Sequence, residues 1–246
     1  MIIFNDEKMK ISLIIPAYNE EKNIRVCLQK ALERAPKNLR EILVIDNAST
    51  DRTAEVASSF AKTRVVSEPK KGITRARQKG LVEAKGELLA YVDADTKIPK
   101  NWFNLINQEF SKDSSLVCLT GPYYYYDLPA WQRKIIELTY LFFICPAHRF
   151  MSSVVTGGNF VAKKEALEKI GGFDETIPFY GEDTDLAVRL KKVGRIVFSR
   201  NFYINTSGRR YIEEGFFRIG VIYVINYIWE TIFRKPFTTN YKDVRL

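Results

Sequence analysis

Short apolar runs alternate with helical patterns along the first hundred residues, and this alternation limits the possible folds more than any other feature. The runs occupy residues 10–16, 41–45, 64–67 and 87–92. The runs are mainly apolar, and most are rich in β-branched residues, which is typical of parallel strands buried on both faces. Helical patterns follow Asn19, which we expect to cap a helix, then cover residues 50–61 and resume after Gly72. The sequence therefore predicts an α/β fold with a mostly parallel, doubly wound sheet.

The remaining chain is less regular, but further elements can be assigned. Helices are expected over about 102–110 and 182–193, and a strand over 116–120. Residues 154–161 are expected to form two short strand pieces around Gly157 and Gly158. A glycine pair in a strand lets a ligand or another backbone approach closely, although a plain tight turn is the competing explanation.

The run at residues 87–92 ends in two carboxylates, Asp93 and Asp95, which are separated by one residue. Side chains two apart on a strand share a face, so these acids are expected to lie close together. Hard divalent cations such as Mg²⁺ or Mn²⁺ take oxygen ligands and are often shared between carboxylates and substrate phosphates. A solvated turn at the strand end is the alternative, since aspartate favours turns.

Further acids are expected near this pair. Asp46 follows the second run, and the carboxyl ends of strands are where open α/β sheets bind ligands. Glu182, Asp183 and Asp185 begin a predicted helix, where the helix dipole alone would favour negative charge. A carboxylate placed there could also accept a proton from an incoming hydroxyl. The sequence alone does not separate these two explanations.

The overall charge and the cysteines limit the possible partners and the compartment. A formal net charge of +9 indicates an anionic partner, which could be nucleic acid, acidic lipid or a phosphorylated substrate. No nucleic-acid-binding motif is present, so nucleic acid is not expected. The three scattered cysteines and the lack of an N-terminal signal pattern predict a reducing, cytoplasmic location.

Residues 216–233 are almost wholly apolar and aromatic, and their polar residues fall on one helical stripe that continues to Arg234. The uncharged part, 219–229, is too short to span a bilayer, which takes roughly 20 apolar residues. A helix lying flat on the cytoplasmic face of a membrane is expected, with a core helix or a homodimer contact as alternatives. The expected anchors are Tyr223, Tyr227 and Trp229, and the basic residues expected near anionic head groups are Arg209, Arg210, Arg234, Lys235 and Lys242.

Two more stretches are aromatic or apolar, and each has a possible role in binding. The tyrosines at 123–126 could stack on sugar rings, although edge-strand packing is the more common use of such residues. A weaker apolar run at 138–147 could share the surface of the C-terminal helix.

An ordered set of motifs resembles the glycosyltransferase family 2 enzymes, which have the GT-A fold. The motifs are Ile14-Ile15-Pro16-Ala17-Tyr18-Asn19-Glu20-Glu21, Val44-Ile45-Asp46-Asn47-Ala48-Ser49-Thr50-Asp51, Asp93-Ala94-Asp95, Gly157-Gly158-Asn159-Phe160 and Gly181-Glu182-Asp183. The resemblance implies a catalytic domain over 1–210, with a nucleotide-binding half over about 1–98 and an acceptor half over about 99–210. A C-terminal helical segment would follow over 211–246.

The resemblance also assigns roles to residues. It implies a nucleotide site for a UDP- or GDP-sugar at Pro16, Ala17, Tyr18, Glu20, Asp46, Arg77 and Asp93. It implies that Asp95, with Asp93, holds a divalent metal (Mn²⁺ or Mg²⁺), that Asp183 is the catalytic base, and that Glu182 assists it. Gly157, Gly158 and Asn159 are expected to face the donor sugar or the acceptor, and Arg209 and Arg210 to contact phosphate or lipid.

The implied reaction transfers one sugar, with inversion at the anomeric carbon, to a glycan, a lipid-linked acceptor or a polyprenyl phosphate. A polyprenyl phosphate is already a nucleophile, so transfer to it would need no catalytic base. Processive members of the family carry Gln-x-x-Arg-Trp where this chain has Ser207-Gly208-Arg209-Arg210-Tyr211, so single-sugar transfer is favoured. The only histidine, His148, is expected to be structural. Two alternatives are a nucleotidyltransferase, which should have a basic glycine-rich loop after the first strand, and a non-catalytic membrane-associated protein.

Overall fold

The computed structural model describes residues 8–146, 154–233, 237–238 and 242–244. Its main sheet has seven strands in the order β3-β2-β1-β4-β7-β5-β8, and β6 and β9 form a separate parallel pair. The strands are β1 (Ile11–Ala17), β2 (Leu39–Asp46), β3 (Thr63–Ser67), β4 (Leu88–Val92), β5 (Leu116–Thr120), β6 (Tyr123–Tyr125), β7 (Asn159–Lys163), β8 (Arg195–Phe198) and β9 (Ile204–Thr206). Within the main sheet only β7 runs antiparallel to its neighbours. The predicted α/β class with a mostly parallel sheet is confirmed.

The helices of the described residues are α1 (Glu21–Glu33), α2 (Thr53–Ser58), α3 (Ile73–Glu83), α4 (Trp102–Lys112), α5 (Ala130–Thr139), α6 (Lys164–Lys169), α7 (Glu182–Leu190), α8 (Arg209–Glu214) and α9 (Phe216–Phe233). A π-helical turn, Tyr140–Ile144, continues α5. The expected halves, 1–98 and 99–210, share one sheet, because β4 pairs with β7.

Both faces of the main sheet are covered, which explains the continuously apolar runs. Leu13 and Ile15 of β1 belong to one core, which also contains Trp102 of α4. Ile14 points to the other core, where it packs with Leu43 of β2 and with residues of α3 and α7. Because successive side chains of a strand face opposite sides, a central strand between two cores is apolar at nearly every position. The exception in β1 is Ser12, whose buried hydroxyl donates to Oε1 of Glu41 at 2.9 Å.

Two local expectations are wrong. Asn19 does not cap α1, which begins at Glu21; its backbone has φ +51°, and its Oδ1 accepts a hydrogen bond from the amide of Thr50 at 2.8 Å. Asn19 therefore joins the loops after β1 and β2. Residues 154–161 do not form two strand pieces, because the only strand there is β7, which begins at Asn159.

Helix α9 has the expected bounds. Asn226 and Glu230, from the predicted polar stripe, are buried, whereas Arg218 is exposed. Tyr223 packs against the rings of Tyr180 and Tyr211 at 5.9 and 6.1 Å and remains 37% exposed. Among the residues that the structure describes, no helix is both long and apolar enough to cross a membrane. His148, Arg234 and Lys235 lie outside the described residues.

Candidate active site

Several polar loops meet at one edge of the main sheet. Asp46 ends β2 beside Ala17, the last residue of β1, and Asp93 follows β4. Because β7 is antiparallel, its first residue, Asn159, pairs with Val92, the last residue of β4. The glycine pair that precedes β7 therefore reaches the same edge as the acidic pair that follows β4.

Asp95 lies in a buried ion-pair cluster with Arg209 and Glu20. Nη2 of Arg209 is 3.1 Å from Oδ2 of Asp95, and Nη1 donates to Oε2 of Glu20 at 3.1 Å. Thr206 donates its hydroxyl to Oδ1 of Asp95 at 3.0 Å. Burial raises the pKa of Asp95 to about 7, although Arg209 opposes the shift. The guanidinium of Arg209 is therefore the cation that this structure places between two acids of the predicted site.

A second cluster surrounds Arg77, which is almost wholly buried. Arg77 forms an ion pair with Glu182, and its Nη2 is 3.7 Å from Oδ1 of Asp93. Burial raises the pKa of Glu182 to about 7, and the nearby Asp183 and Asp93 add to that shift, while Arg77 lowers it. Oε2 of Glu182 is buried and accepts no hydrogen bond from the described residues. Arg77 thus joins the start of α7 to the acidic pair.

The glycine pair lies in close contact with these acids. A Cβ on Gly157 would lie 2.6 Å from Oε1 of Glu182, and a Cβ on Gly158 would lie 2.0 Å from Oδ2 of Asp93. Such separations are too short for real atoms, so a side chain at either position would require Glu182 or Asp93 to move. The amide of Gly158 also donates to the hydroxyl of Tyr123 at 2.6 Å.

Asp183 lies at the N-terminal end of α7, which begins after Gly181 in a left-handed conformation. Backbone amides of Thr184 and Gly157 donate to its carboxylate, but burial outweighs them and raises the pKa of Asp183. Asp185 has a different environment, because it is bound by Nε of Arg189 at 2.9 Å. Of these two aspartates, only Asp183 contacts the glycine pair.

A cavity beside the acids contains part of the predicted nucleotide site. It is lined by Pro16, Ala17, Tyr18, Asn47, Lys71, Gly72, Ile73, Ala76 and Phe179. Nζ of Lys71 lies 3.8 Å from the centre of the Tyr18 ring, so a cation stands at the cavity wall. Oδ1 of Asp46, which is in register with Ala17, is buried and has no hydrogen-bond partner in the described part of the chain. A ligand N–H group could satisfy this oxygen.

The structure places other predicted site residues elsewhere. Asn159 is fully buried; its Oδ1 accepts from Nε1 of Trp102 at 3.0 Å, and its Nδ2 donates to the carbonyl of Phe202 at 2.7 Å. Asn159 was expected to face the donor sugar or the acceptor. Its side chain instead holds loops together through these hydrogen bonds. Arg210 also differs from Arg209, because it binds Glu214 at 2.6 Å and lies over the ring of Phe179.

Sequence reasoning missed three contacts with the acidic pair. Thr206 comes from β9, far along the chain, and no local pattern marked it. The hydroxyls of Tyr123 and Tyr126 donate to Oδ2 of Asp93 at 3.3 Å and to the carbonyl of Asp95 at 3.2 Å. The aromatic run did give a signal for the tyrosines, but stacking on sugars was expected from them instead of hydrogen bonds to the acids.

The donor set fits a hard divalent cation. Five carboxylates (Glu20, Asp93, Asp95, Glu182 and Asp183) and two arginines (Arg77 and Arg209) make up the two clusters. The side chain of Asp93 is 37% exposed and thus accessible. No group of three or more acidic, histidine or cysteine side chains converges on a metal position in the described residues. A site of one or two carboxylates that is completed by phosphate and water needs no such group.

Comparison with protein-family models gives two matches. Residues 12–171 match the model described as glycosyl transferase family 2, and residues 145–211 match one described as the N-terminal domain of galactosyltransferase. The first match covers more than half of the chain and contains Asp93, Asp95, the glycine pair and all of the cavity lining except Phe179.

Curated relatives agree with this match over part of their length. The probable glycosyltransferase YdaM of Bacillus subtilis is 27% identical over 203 residues, which is 76% of this chain and 48% of that protein. The glycosyltransferase GlyG of Streptococcus pneumoniae is 33% identical over 123 residues, 48% of this chain and 40% of that protein. The chain thus spans half or less of the length of these relatives.

Solved structures share the fold. A mannosyltransferase from Pyrobaculum calidifontis, solved with GDP-Man and Mn²⁺, has a TM-score of 0.71 and 18% identity over 92% of this chain and 65% of its own. Glucosyl-3-phosphoglycerate synthase from Mycobacterium tuberculosis, solved with Mn²⁺ and UDP, has a TM-score of 0.64 and 18% identity over 89% of this chain and 80% of its own. The sheet described above is therefore a GT-A fold.

Proposed function

Because the chain belongs to glycosyltransferase family 2, we propose that it is an inverting, metal-dependent enzyme that moves one sugar from a nucleoside-diphosphate sugar to an acceptor hydroxyl. The observation that carries this proposal is the position of the acids. Asp93, Asp95 and Asp183 lie at one sheet edge, and the first of them is bridged to the start of α7 by Arg77. The groups proposed to bind the donor and to accept the proton are thereby held in fixed positions relative to each other.

The donor nucleotide is proposed to lie in the cavity beside Tyr18. Pro16, Ala17 and Phe179 supply apolar wall for a base, and the unpartnered Oδ1 of Asp46 can accept a hydrogen bond from a base N–H. Uracil and guanine both carry such a group, which supports a UDP- or GDP-sugar. The relatives solved with GDP-Man, UDP and UDP-Glc agree with that class of donor.

The diphosphate is proposed to bind between the cavity and the acidic pair. Asp95 and Asp93 would hold a divalent metal, which supplies Lewis-acid stabilisation of the leaving nucleoside diphosphate when bound. Arg209 presents a guanidinium at the same place and can pair with phosphate oxygens. Tyr123 keeps Asp93 oriented through its hydroxyl.

Asp183 is proposed to take the proton from the acceptor hydroxyl as that oxygen attacks the anomeric carbon. Burial raises the pKa of its carboxyl, and a raised pKa makes an aspartate a stronger base near neutral pH. Asp183 in turn adds negative charge beside Glu182, which is paired with Arg77, and this charge helps burial to raise the pKa of Glu182. Inversion follows from attack opposite the leaving group in a single displacement.

Donor hydrolysis, with water as the acceptor, tests this proposal without knowledge of the natural acceptor. The protein would be incubated with Mn²⁺ and α-linked UDP- and GDP-sugars, and the released sugar followed by proton NMR before it mutarotates. We expect the β anomer to appear first. Release of the α anomer would exclude inversion, and the absence of metal-dependent consumption of any donor would count against the transferase itself.

A further inference from the structure

The outer face of α9 is apolar, which is the reverse of an ordinary surface helix. Phe217, Val221, Val224, Ile228 and Ile232 are all at least half exposed, and Phe217 reaches 71%. Their spacing places them on one side of the helix. The inner side instead buries Ile219, Asn226 and Glu230. An exposed apolar stripe is informative, since soluble proteins rarely leave large apolar patches in water.

A second stripe of the same kind lies on α5 and its π-helical continuation. Trp131, Ile135, Leu138 and Phe142 repeat at helical spacing and are exposed, and Phe143 beside them is 70% exposed. No residue of α5 is buried in the described structure, so the apolar side chains of this helix remain partly or largely exposed to solvent.

The two stripes join at their ends. The Trp131 ring lies 5.3 Å from that of Phe216 and 6.2 Å from that of Phe217, measured between ring centres. We call the ten exposed residues of both stripes the outer helical surface. At about half exposure, these side chains present on the order of 800 Å² of apolar area, more than the largest patch on a typical monomer.

Exposed charges beside the outer helical surface are mainly basic. Lys134 lies on α5 with 63% of its side chain exposed, and Arg218 lies on α9 with 66% of its side chain exposed. The exposed acid on these two helices is Glu137, and it is paired with Lys134 at 3.1 Å. Contact with a second copy across a two-fold axis would bring these basic groups together, whereas anionic lipid would neutralise them.

We propose that the outer helical surface seats the protein on an anionic bilayer, with α5 and α9 lying in the plane of the membrane interface. Aliphatic and phenyl groups of the two stripes enter the boundary between head groups and acyl chains. Lys134 and Arg218, which flank the two stripes, then lie at the level of the phosphates. Neither helix crosses the membrane in this arrangement.

The outer helical surface lies close to the start of α7, where the proposed base Asp183 lies. Helix α9 packs on α7, which begins with Glu182 and Asp183, and Gly181 lies against Glu230. A second cavity, lined in part by Tyr123, Arg133, Tyr140 and Arg200, lies between α5 and the acidic pair. If the proposed function holds, a lipid-linked acceptor is the class that this arrangement favours, but membrane binding itself does not depend on sugar transfer.

Vesicle flotation tests the proposal directly. Wild-type protein should float with vesicles of phosphatidylcholine and phosphatidylglycerol, and it should float less with phosphatidylcholine alone or at high salt. The double variant Val221→Glu/Ile228→Glu should reduce partitioning by about tenfold or more, because two charges would have to enter the interface. Val82→Glu is the matched control: Val82 is 65% exposed on α3, outside this surface, and should leave flotation unchanged.

Size-exclusion chromatography with light scattering and circular dichroism complete the test. Both variants should keep the helical spectrum of the wild type, since all substituted residues are exposed. Wild-type protein that fails to float, or a double variant that floats as well as Val82→Glu, would overturn the proposal. So would a wild-type dimer that ignores vesicles and is dissociated by the double variant, because the surface would then be a contact between copies.

Discussion

Asp183→Asn is expected to slow donor hydrolysis and sugar transfer to a hydroxyl by about 10²–10⁴-fold, the range typical of a lost general base. Asparagine is close in size and can keep the hydrogen bonds from the amides of Gly157 and Thr184, but it cannot accept the proton. Donor affinity, measured by calorimetry with Mn²⁺ present, should be unchanged. The defect should therefore appear in the rate and not in binding.

Asp185→Asn is the matched control for this variant. Asp185 lies in the same first turn of α7, but it is held by Arg189 and does not contact the glycine pair. It should retain transfer close to that of the wild type. Near-normal turnover of Asp183→Asn would refute the base assignment, as would equal losses in both variants.

The pH dependence of donor hydrolysis gives an independent check on Asp183. Because burial raises its pKa, the carboxyl becomes protonated at a higher pH than an ordinary aspartate. As pH is lowered through the weakly acidic range, the rate should therefore fall earlier than an exposed aspartate would predict. The part of this decline that Asp183 causes should be missing from the residual activity of Asp183→Asn, whereas any decline that comes from Asp95 or Glu182 should remain.

Arg209→Ala is expected to change metal and nucleotide affinity in opposite directions. Arg209 neutralises Asp95 and Glu20 in the structure without ligands, so its removal should strengthen Mn²⁺ binding in the absence of nucleotide by about tenfold. The same change removes a phosphate-binding guanidinium, so affinity for UDP or GDP with Mn²⁺ should fall by roughly tenfold or more.

Calorimetric titrations of Mn²⁺ alone, and then of nucleotide, separate the two effects. Arg195→Ala is the control, because Arg195 is 63% exposed, pairs with Asp113 and contacts neither the acidic pair nor the cavity. Arg209→Lys keeps a positive charge beside the two buried acids, so it should fold even if Arg209→Ala does not. Melting curves of both variants would reveal a loss of folding. Weaker Mn²⁺ binding by both Arg209 variants in the absence of nucleotide would contradict competition between Arg209 and the metal.

Local patterns were enough to predict the strands that build the site. A run that is apolar at nearly every position has few alternatives to a strand between two cores, and β1 and β4 fit that description. Asp46, which ends β2, and Asp93, which follows β4, could be placed at the sheet edge because the carboxyl ends of parallel strands meet there. The resemblance to a known family then supplied roles that no spacing could give.

Contacts between distant segments could not be predicted in this way. Thr206 and Arg209 reach Asp95 from more than a hundred residues away, through the small β6–β9 sheet. Asn19 and Asn159 were misplaced because a side-chain amide can bond to whichever backbone the fold brings near it. The spacing of the polar residues of α9 could be read from the sequence, but only the packing on α7 shows that Asn226 and Glu230 face inward while Arg218 stays exposed.

The most direct test of the account is thermal stabilisation by UDP- and GDP-sugars, measured with and without Mn²⁺ on the wild type and on Asp95→Asn. We expect one class of donor to raise the melting temperature of the wild type only when Mn²⁺ is present, since ligands that bind the native state stabilise it. We expect no metal-dependent increase for Asp95→Asn, whose melting curve without ligand shows whether it folds. A wild type that responds to no nucleotide sugar, or an Asp95→Asn protein that responds as fully as the wild type, would contradict a metal and donor site at this edge of the sheet.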